Sequence, residues 1–173
     1  LPGPAIDGGG NCLALDIADG PRPTDGDGNG TAVCDRGAFE HDPVPLQLLV
    51  DSGVDAVDLV PGDGICETII GSCSLRAAIQ ETNARTTGDV IQIGAAVVSE
   101  LTLAGGDEDL AATGDLDITG DLTIRSSGSG LVVVDANGFD RVFDVQSGTV
   151  VLEKLHVTGG IENGGEGGAG IRN

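Results

Sequence analysis

From Gly88 onward, short aliphatic runs alternate with Gly, Asp, Ser and Asn: Val90–Ile93, Glu100–Leu103, Leu116–Ile118, Leu122–Ile124, Leu131–Val134, Val142–Val145 and Thr149–Val157. Runs this short, rich in Val, Ile and Leu and bounded by turn residues, predict strands that need neighbours. One more strand is expected at residues 46–50, Leu-Gln-Leu-Leu-Val, followed by an Asp/Gly-rich loop to Gly64. Between Ser74 and Ala84 the period changes. Leu75, Ala78, Ile79 and Thr82 fall at i, i+3, i+4 and i+7, which predicts an amphipathic helix over residues 74–84 with Ser74 as its N-cap.

Short strands of this kind build either a sandwich or a parallel solenoid, and periodicity alone does not separate the two. Three features favour an all-β parallel solenoid. The apolar residues are small and branched, aromatic residues number only three Phe with no Trp or Tyr, and Asn-Gly pairs recur at Asn137-Gly138 and Asn163-Gly164. At roughly 20–25 residues per coil, residues 88–173 make about four coils. The helix then has a physical purpose, as a cap over the apolar layer at the N-terminal end of the stack. No such element is expected at the other end, where the last coil reads as one that continues.

The 30 glycines lack a collagen period and read as turn residues. Charge is lopsided, with 28 acidic residues against eight Lys and Arg and a net charge of −20. Such a surface excludes nucleic acid as a partner and suits a salty or calcium-containing medium, or simply keeps the protein soluble. No stretch approaches the roughly 20 apolar residues of a membrane span. Residue 1 opens no signal peptide, so export would imply prior removal of the signal. The four cysteines leave three pairings open. Sequential pairing, Cys12 with Cys34 and Cys66 with Cys73, is favoured because each pair sits in its own Gly/Asp-rich segment. Each closed loop would gain about 3 kcal/mol. Neither pair has zinc spacing, and disulfides place the chain outside the cell or on its surface.

Pro61-Gly-Asp-Gly-Ile-Cys66, then Gly71-Ser-Cys73-Ser-Leu-Arg-Ala-Ala-Ile-Gln-Glu-Thr-Asn-Ala84 and Asp89-Val-Ile-Gln-Ile93 resemble the signature of the CSLREA domain. That domain opens many large secreted bacterial right-handed parallel β-helix proteins. Arg141-Val-Phe-Asp-Val145 and Gly168-Ala-Gly-Ile-Arg-Asn173 are similar to later coils of the family, so the resemblance spans residues 46–173. Ala77 stands where the family name has Glu; it removes a capping box and weakens the helix start by up to about 1 kcal/mol. Residues 1–40, with Pro4-Ala-Ile-Asp7, Pro21-Arg-Pro23 and Cys34-Asp-Arg-Gly-Ala-Phe-Glu40, resemble the segment that closes the far end of such β-helices. The organisation expected is therefore a closing segment over 1–40, a linker over 41–45, a strand, acidic loop and cap helix over 46–87, and parallel β-helix coils over 88–173. A closing segment ahead of an opening one implies a piece of a tandem array or a subunit that completes its neighbour. The plain alternative is a fragment of no assembly significance.

Asp25-Gly-Asp27-Gly-Asn29-Gly-Thr31 alternates oxygen side chains as the start of an EF-hand loop does, but Arg36 at the twelfth position excludes a complete one. Asp25, Asp27, Asn29 and Thr31, with Asp35, are expected to cage calcium, against the plainer reading of a solvated turn. Asn29-Gly30-Thr31 is also a glycosylation sequon. Asp55, Asp58 and Asp63 form a second, weaker acidic cluster. Asp115, Asp117 and Asp121 are the carboxylates that a polysaccharide-cleaving β-helix would offer, but they read more simply as solvated turns. Ser74 is accounted for as a cap, and His156, alternating with Leu155 and Val157, should face solvent.

These readings lead to a secreted or cell-surface structural β-helix module rather than an enzyme, calcium-stabilised and joined end to end with copies of itself. Two other classes stay open. One is a polysaccharide lyase or hydrolase with its catalytic coils elsewhere; the other is an adhesin passenger that binds a glycan or another cell-surface ligand through a flat face.

Overall fold

Among the described residues, ten strands and one helix form, in chain order, β1 (Gln47–Val50), α1 (Leu75–Asn83), β2 (Asp89–Ile93), β3 (Val98–Glu100), β4 (Leu116–Ile118), β5 (Leu122–Ser126), β6 (Val132–Asp135), β7 (Phe143–Val145), β8 (Val150–Glu153), β9 (Leu155–Thr158) and β10 (Ile171–Arg172). The structure is a computed structural model and describes residues 8–10, 12, 13, 23, 29–34, 36, 44–85, 87–106, 108–162 and 168–173. Most of the closing segment and residues 41–43 of the linker lie outside them.

Every strand pair is parallel, and the strands fall into three sheets, ordered β1-β2-β5-β8, β3-β6-β9 and β4-β7-β10. The chain thus visits the three sheets in the same order three times. Like side chains stack in register: Leu48 on Ile91 on Ile124 on Leu152 in the first sheet, Val134 on Val157 in the second, Leu116 on Phe143 on Ile171 in the third. Alternate residues along β2 and β5 are buried, as the pleat demands. The buried members of all three sheets join one apolar cluster with Leu75, Ala78 and Ile79 of α1.

The rounds are longer than the coil length expected. Asp89 pairs with Leu122 and Leu122 with Val150, so the chain completes three rounds where four were expected. Loops between short strands absorb the difference. The strand expected over Glu100–Leu103 starts and stops earlier, because the Thr102 and Leu103 N–H groups donate to Asp55 Oδ2 (2.7 and 2.9 Å) instead of to a neighbouring strand. The run Thr149–Val157 divides into β8 and β9, in different sheets, at Lys154 with φ of +57°. A tight corner also precedes β8: Gly148 has φ of +86°, and a Cβ there would lie 2.4 Å from the Gly120 carbonyl carbon.

Helix α1 begins where the capping pattern places it. Ser74 Oγ accepts from the Ala77 N–H (3.0 Å) and donates to the Ala56 carbonyl (2.6 Å). The helix packs on β1, β2 and β4. It is not amphipathic in its surroundings, however, because Leu75 through Thr82 are all buried. Segment 55–67 covers its outer side, so the polar residues there are bonded: Gln80 Oε1 accepts from the Asp58 N–H (2.8 Å), and the Glu81 carboxylate accepts from the Gly62 (2.6 Å) and Gly64 N–H groups. Ala77 is fully buried, so a Glu at this position would bring a carboxylate into the core.

Candidate functional site

Among the described residues, a group of buried carboxylates lies on the side of the third sheet away from the apolar cluster, under the loop 108–115. Leu116 and Ile118 of β4 face the cluster, so Asp117 between them points away. It is nevertheless completely buried, because the loop folds back over it and the Ala111 N–H donates to Asp117 Oδ2 (2.8 Å). Glu108 braces the same loop, accepting from the N–H groups of Leu110 (2.9 Å) and Thr113 (2.7 Å).

The loop is also held from the helix side. Arg76, 1% exposed, donates Nη1 to the carbonyls of Ala111 (3.0 Å) and Asp115 (3.1 Å), and Nη2 to that of Gly114 (2.8 Å). Its remaining donors grip the Asp55 carboxylate in a fork, Nε to Oδ1 at 2.6 Å and Nη2 to Oδ2 at 3.2 Å. Asp55 in turn accepts the two N–H groups that end β3. One guanidinium therefore joins α1, the loop 108–115 and the segment after β3.

Register stacks Asp117 on Asp144 and Asp144 on Arg172. Arg172 forms a two-pronged ion pair with Asp144, and Gln146 Nε2 donates to Asp109 Oδ1 and Asp117 Oδ1, both at 2.9 Å. One carboxylate oxygen each from Asp109, Asp117 and Asp144 lies within 4.8 Å of the other two, the group of described residues placed to share a cation. Beside them Arg141 Nε lies 3.1 Å from Asp115 Oδ2 without a hydrogen bond aligned between them. Burial, then the charges of Asp117, Asp140 and Asp144, push Asp115 up to about 7 against the pull of Arg141. Burial pushes Asp117 up to about 6; Glu108 and Asp144 add to the rise, while the Ala111 N–H and Gln146 oppose it.

Asp115 and Asp117 are thus buried, not solvated turns; only Asp121 of that trio is exposed, accepting from the Thr149 N–H (2.7 Å). The cluster over Asp55, Asp58 and Asp63 is also taken apart. Asp55 belongs to Arg76, Asp58 accepts from Val60 and Glu67 N–H groups, and Asp63 from the Ile65 N–H. Burial raises the pKa of Asp58 and of Glu81. Of the residues expected to hold calcium, Asp25, Asp27 and Asp35 lie outside the described residues, while Asn29 Oδ1 accepts from the Thr31 N–H at 2.9 Å. Disulfides join Cys12 to Cys34 and Cys66 to Cys73. His156 is exposed, and Ser74 is engaged as the helix cap.

Sequence reasoning passed over Asp109 and Asp144. The available signal was spacing: Asp117, Asp144 and Arg172 recur at a nearly constant interval, and each pairs with the next in register. Among the described residues, no helix is long and apolar enough to cross a membrane. No protein-family model, curated protein or solved structure matches the chain.

Proposed function

We propose that this chain is a structural module of a secreted or cell-surface protein, a right-handed parallel β-helix of the CSLREA type whose units join end to end into a stalk or fibre. One observation carries the reading: three parallel sheets visited three times in one order, with like residues stacked in register, is the arrangement a β-helix requires. The helix over β1, β2 and β4 acts as its N-terminal cap. Two disulfides suit an oxidising compartment.

What supports end-to-end joining in this reading is the last round. Val150, Leu152, Leu155 and Val157 are only partly buried and Ile171 is 43% exposed, whereas their stacking partners one round earlier are buried. Another module laid on that layer removes it from water. The buried carboxylates are engaged with Arg76, Arg141, Arg172 and backbone N–H groups, which suits a scaffold role over catalysis. Calcium at Asp25, Asp27, Asn29, Thr31 and Asp35 belongs to the same proposal, as a local staple beside the Cys12–Cys34 disulfide.

Negative-stain microscopy of the purified protein, with calcium and with chelator, tests the assembly. Long unbranched filaments support it, and monodisperse monomers in both conditions contradict it. A melting temperature unmoved by chelator removes the calcium.

A further inference from the structure

Ile69 and Ile70 stand 82% and 63% exposed at the tip of a tight turn, where a chain normally places Gly, Asn, Asp or Pro. The turn holds them away from the core. The Thr68 N–H and hydroxyl both donate to the Ser72 carbonyl (2.9 Å each), the Gly71 N–H donates to the Thr68 carbonyl (2.8 Å) with Gly71 at φ of +74°, and the Cys66–Cys73 disulfide closes the base. The base is tied to the first round. The Cys73 carbonyl accepts from the N–H groups of Asp51 and Ser52 (3.2 Å each), which follow β1, and the Cys73 N–H donates to Asp51 Oδ1 (2.9 Å). The result is a preorganised aliphatic knob at the capped end of the stack.

The other end carries a hollow. About 430 Å³ of space opens at the last round, walled by Val145, Val150, Leu152 and Ile171, with Thr149 also in its lining. Leu152 and Ile171 stack on Ile124 and Phe143, which are fully buried, so the hollow stands where the next apolar layer would lie.

We propose that the Ile69–Ile70 knob of one copy seats in the last-round hollow of a second copy, which makes the joint between modules head to tail. The inference rests on the end-to-end reading and names its contact. A second copy is the occupant because one chain presents both halves, knob and hollow, at opposite ends, and a contact between unlike surfaces of this kind propagates instead of closing on a pair. Charge agrees with that choice. Asp51 and Glu67 are exposed beside the knob, while Lys154, the one lysine of the chain, is exposed at the corner between β8 and β9; Glu153 next to it lies in register with Arg125.

Sedimentation velocity of the whole chain over a range of concentrations tests the joint. The parent should form oligomers that lengthen with concentration. Ile69→Asp with Ile70→Asp removes the knob, and Thr149→Glu puts a carboxylate into the hollow; each variant should self-associate at least about a hundredfold more weakly and sediment as a monomer. Mixed in equal amounts, the two should form dimers and nothing longer, because only one intact knob meets one intact hollow. Leu49→Asp, which removes a 56% exposed apolar side chain from the outer face of β1, should assemble as the parent does. All four substituted residues are exposed, so circular dichroism should match the parent. Oligomers of the knob variant, or a mixture that stays monomeric while the parent assembles, overturn the head-to-tail joint and leave end-to-end assembly to another surface. Equal loss in Leu49→Asp also overturns it, as general adhesion of apolar surface. A parent that is monomeric at every concentration contradicts the end-to-end reading itself, and the joint with it.

Discussion

Leu48 and Leu152 occupy one stacked position at opposite ends of the first sheet, yet Leu48 is 8% exposed and Leu152 only half-buried. The difference lies in what covers each end. Over the first round lie α1 and, outside it, segment 55–67, and the second layer is joined to the first by polar contacts: Arg76 with Asp55, Gln80 with Asp58, Glu81 with Gly62 and Gly64. Over the last round the described residues supply no such layer. Sealing a stack of parallel strands therefore takes two things here, an apolar lid and a charged network that fixes the lid in place.

Removing the network should have the largest effect. Arg76→Ala leaves Asp55 buried without its charged partner and the Gly114 and Asp115 carbonyls without their side-chain donor, and should cost about 3–5 kcal/mol in urea unfolding. Arg76→Lys should recover only part of this, since an ammonium lacks the planar fork. Truncation along the ladder sharpens the comparison. Ile124→Ala, in the middle, should cost about 2–5 kcal/mol, and Leu152→Ala, at the open end, less than half as much in dilute protein. Equal costs would mean that both ends are covered. Cys66→Ser with Cys73→Ser opens a short loop in the cap and should cost about 2.5 kcal/mol.

The buried carboxylates under loop 108–115 also make stability depend on pH. Asp115, at about 7 in the folded protein against an ordinary 3.8, and Asp117, at about 6, bind their protons more tightly when folded. The stability this contributes is complete below about pH 4 and is lost as pH rises through 6 and 7. The urea midpoint should fall between pH 5 and pH 8, and Asp115→Asn should flatten that fall.

How much of this was legible in the sequence varies with the kind of signal. The β-runs and the helix follow from local pattern, and Leu116–Ile118 forms a strand over the residues expected. Ser74 as a cap is also a local inference. The missed features depend on contacts between distant residues. Thr102 and Leu103 leave the sheet because Asp55, far earlier in the chain, takes their N–H groups. Lys154 breaks a long run although lysine carries no turn signal. Asp117, Asp144 and Arg172 form one column only if the length of a round matches the interval between them, and a shorter round scatters them. Arg76 reads as an ordinary exposed position of an amphipathic helix until segment 55–67 is laid over it.

Hydrogen exchange followed by mass spectrometry at increasing protein concentration tests the open end most directly. If modules join through the last round, protection of β8, β9 and β10 should rise with concentration while that of β2 stays constant. Protection of those three strands that is as high as in β2 at the lowest concentration, or that never changes, would contradict an end awaiting another module.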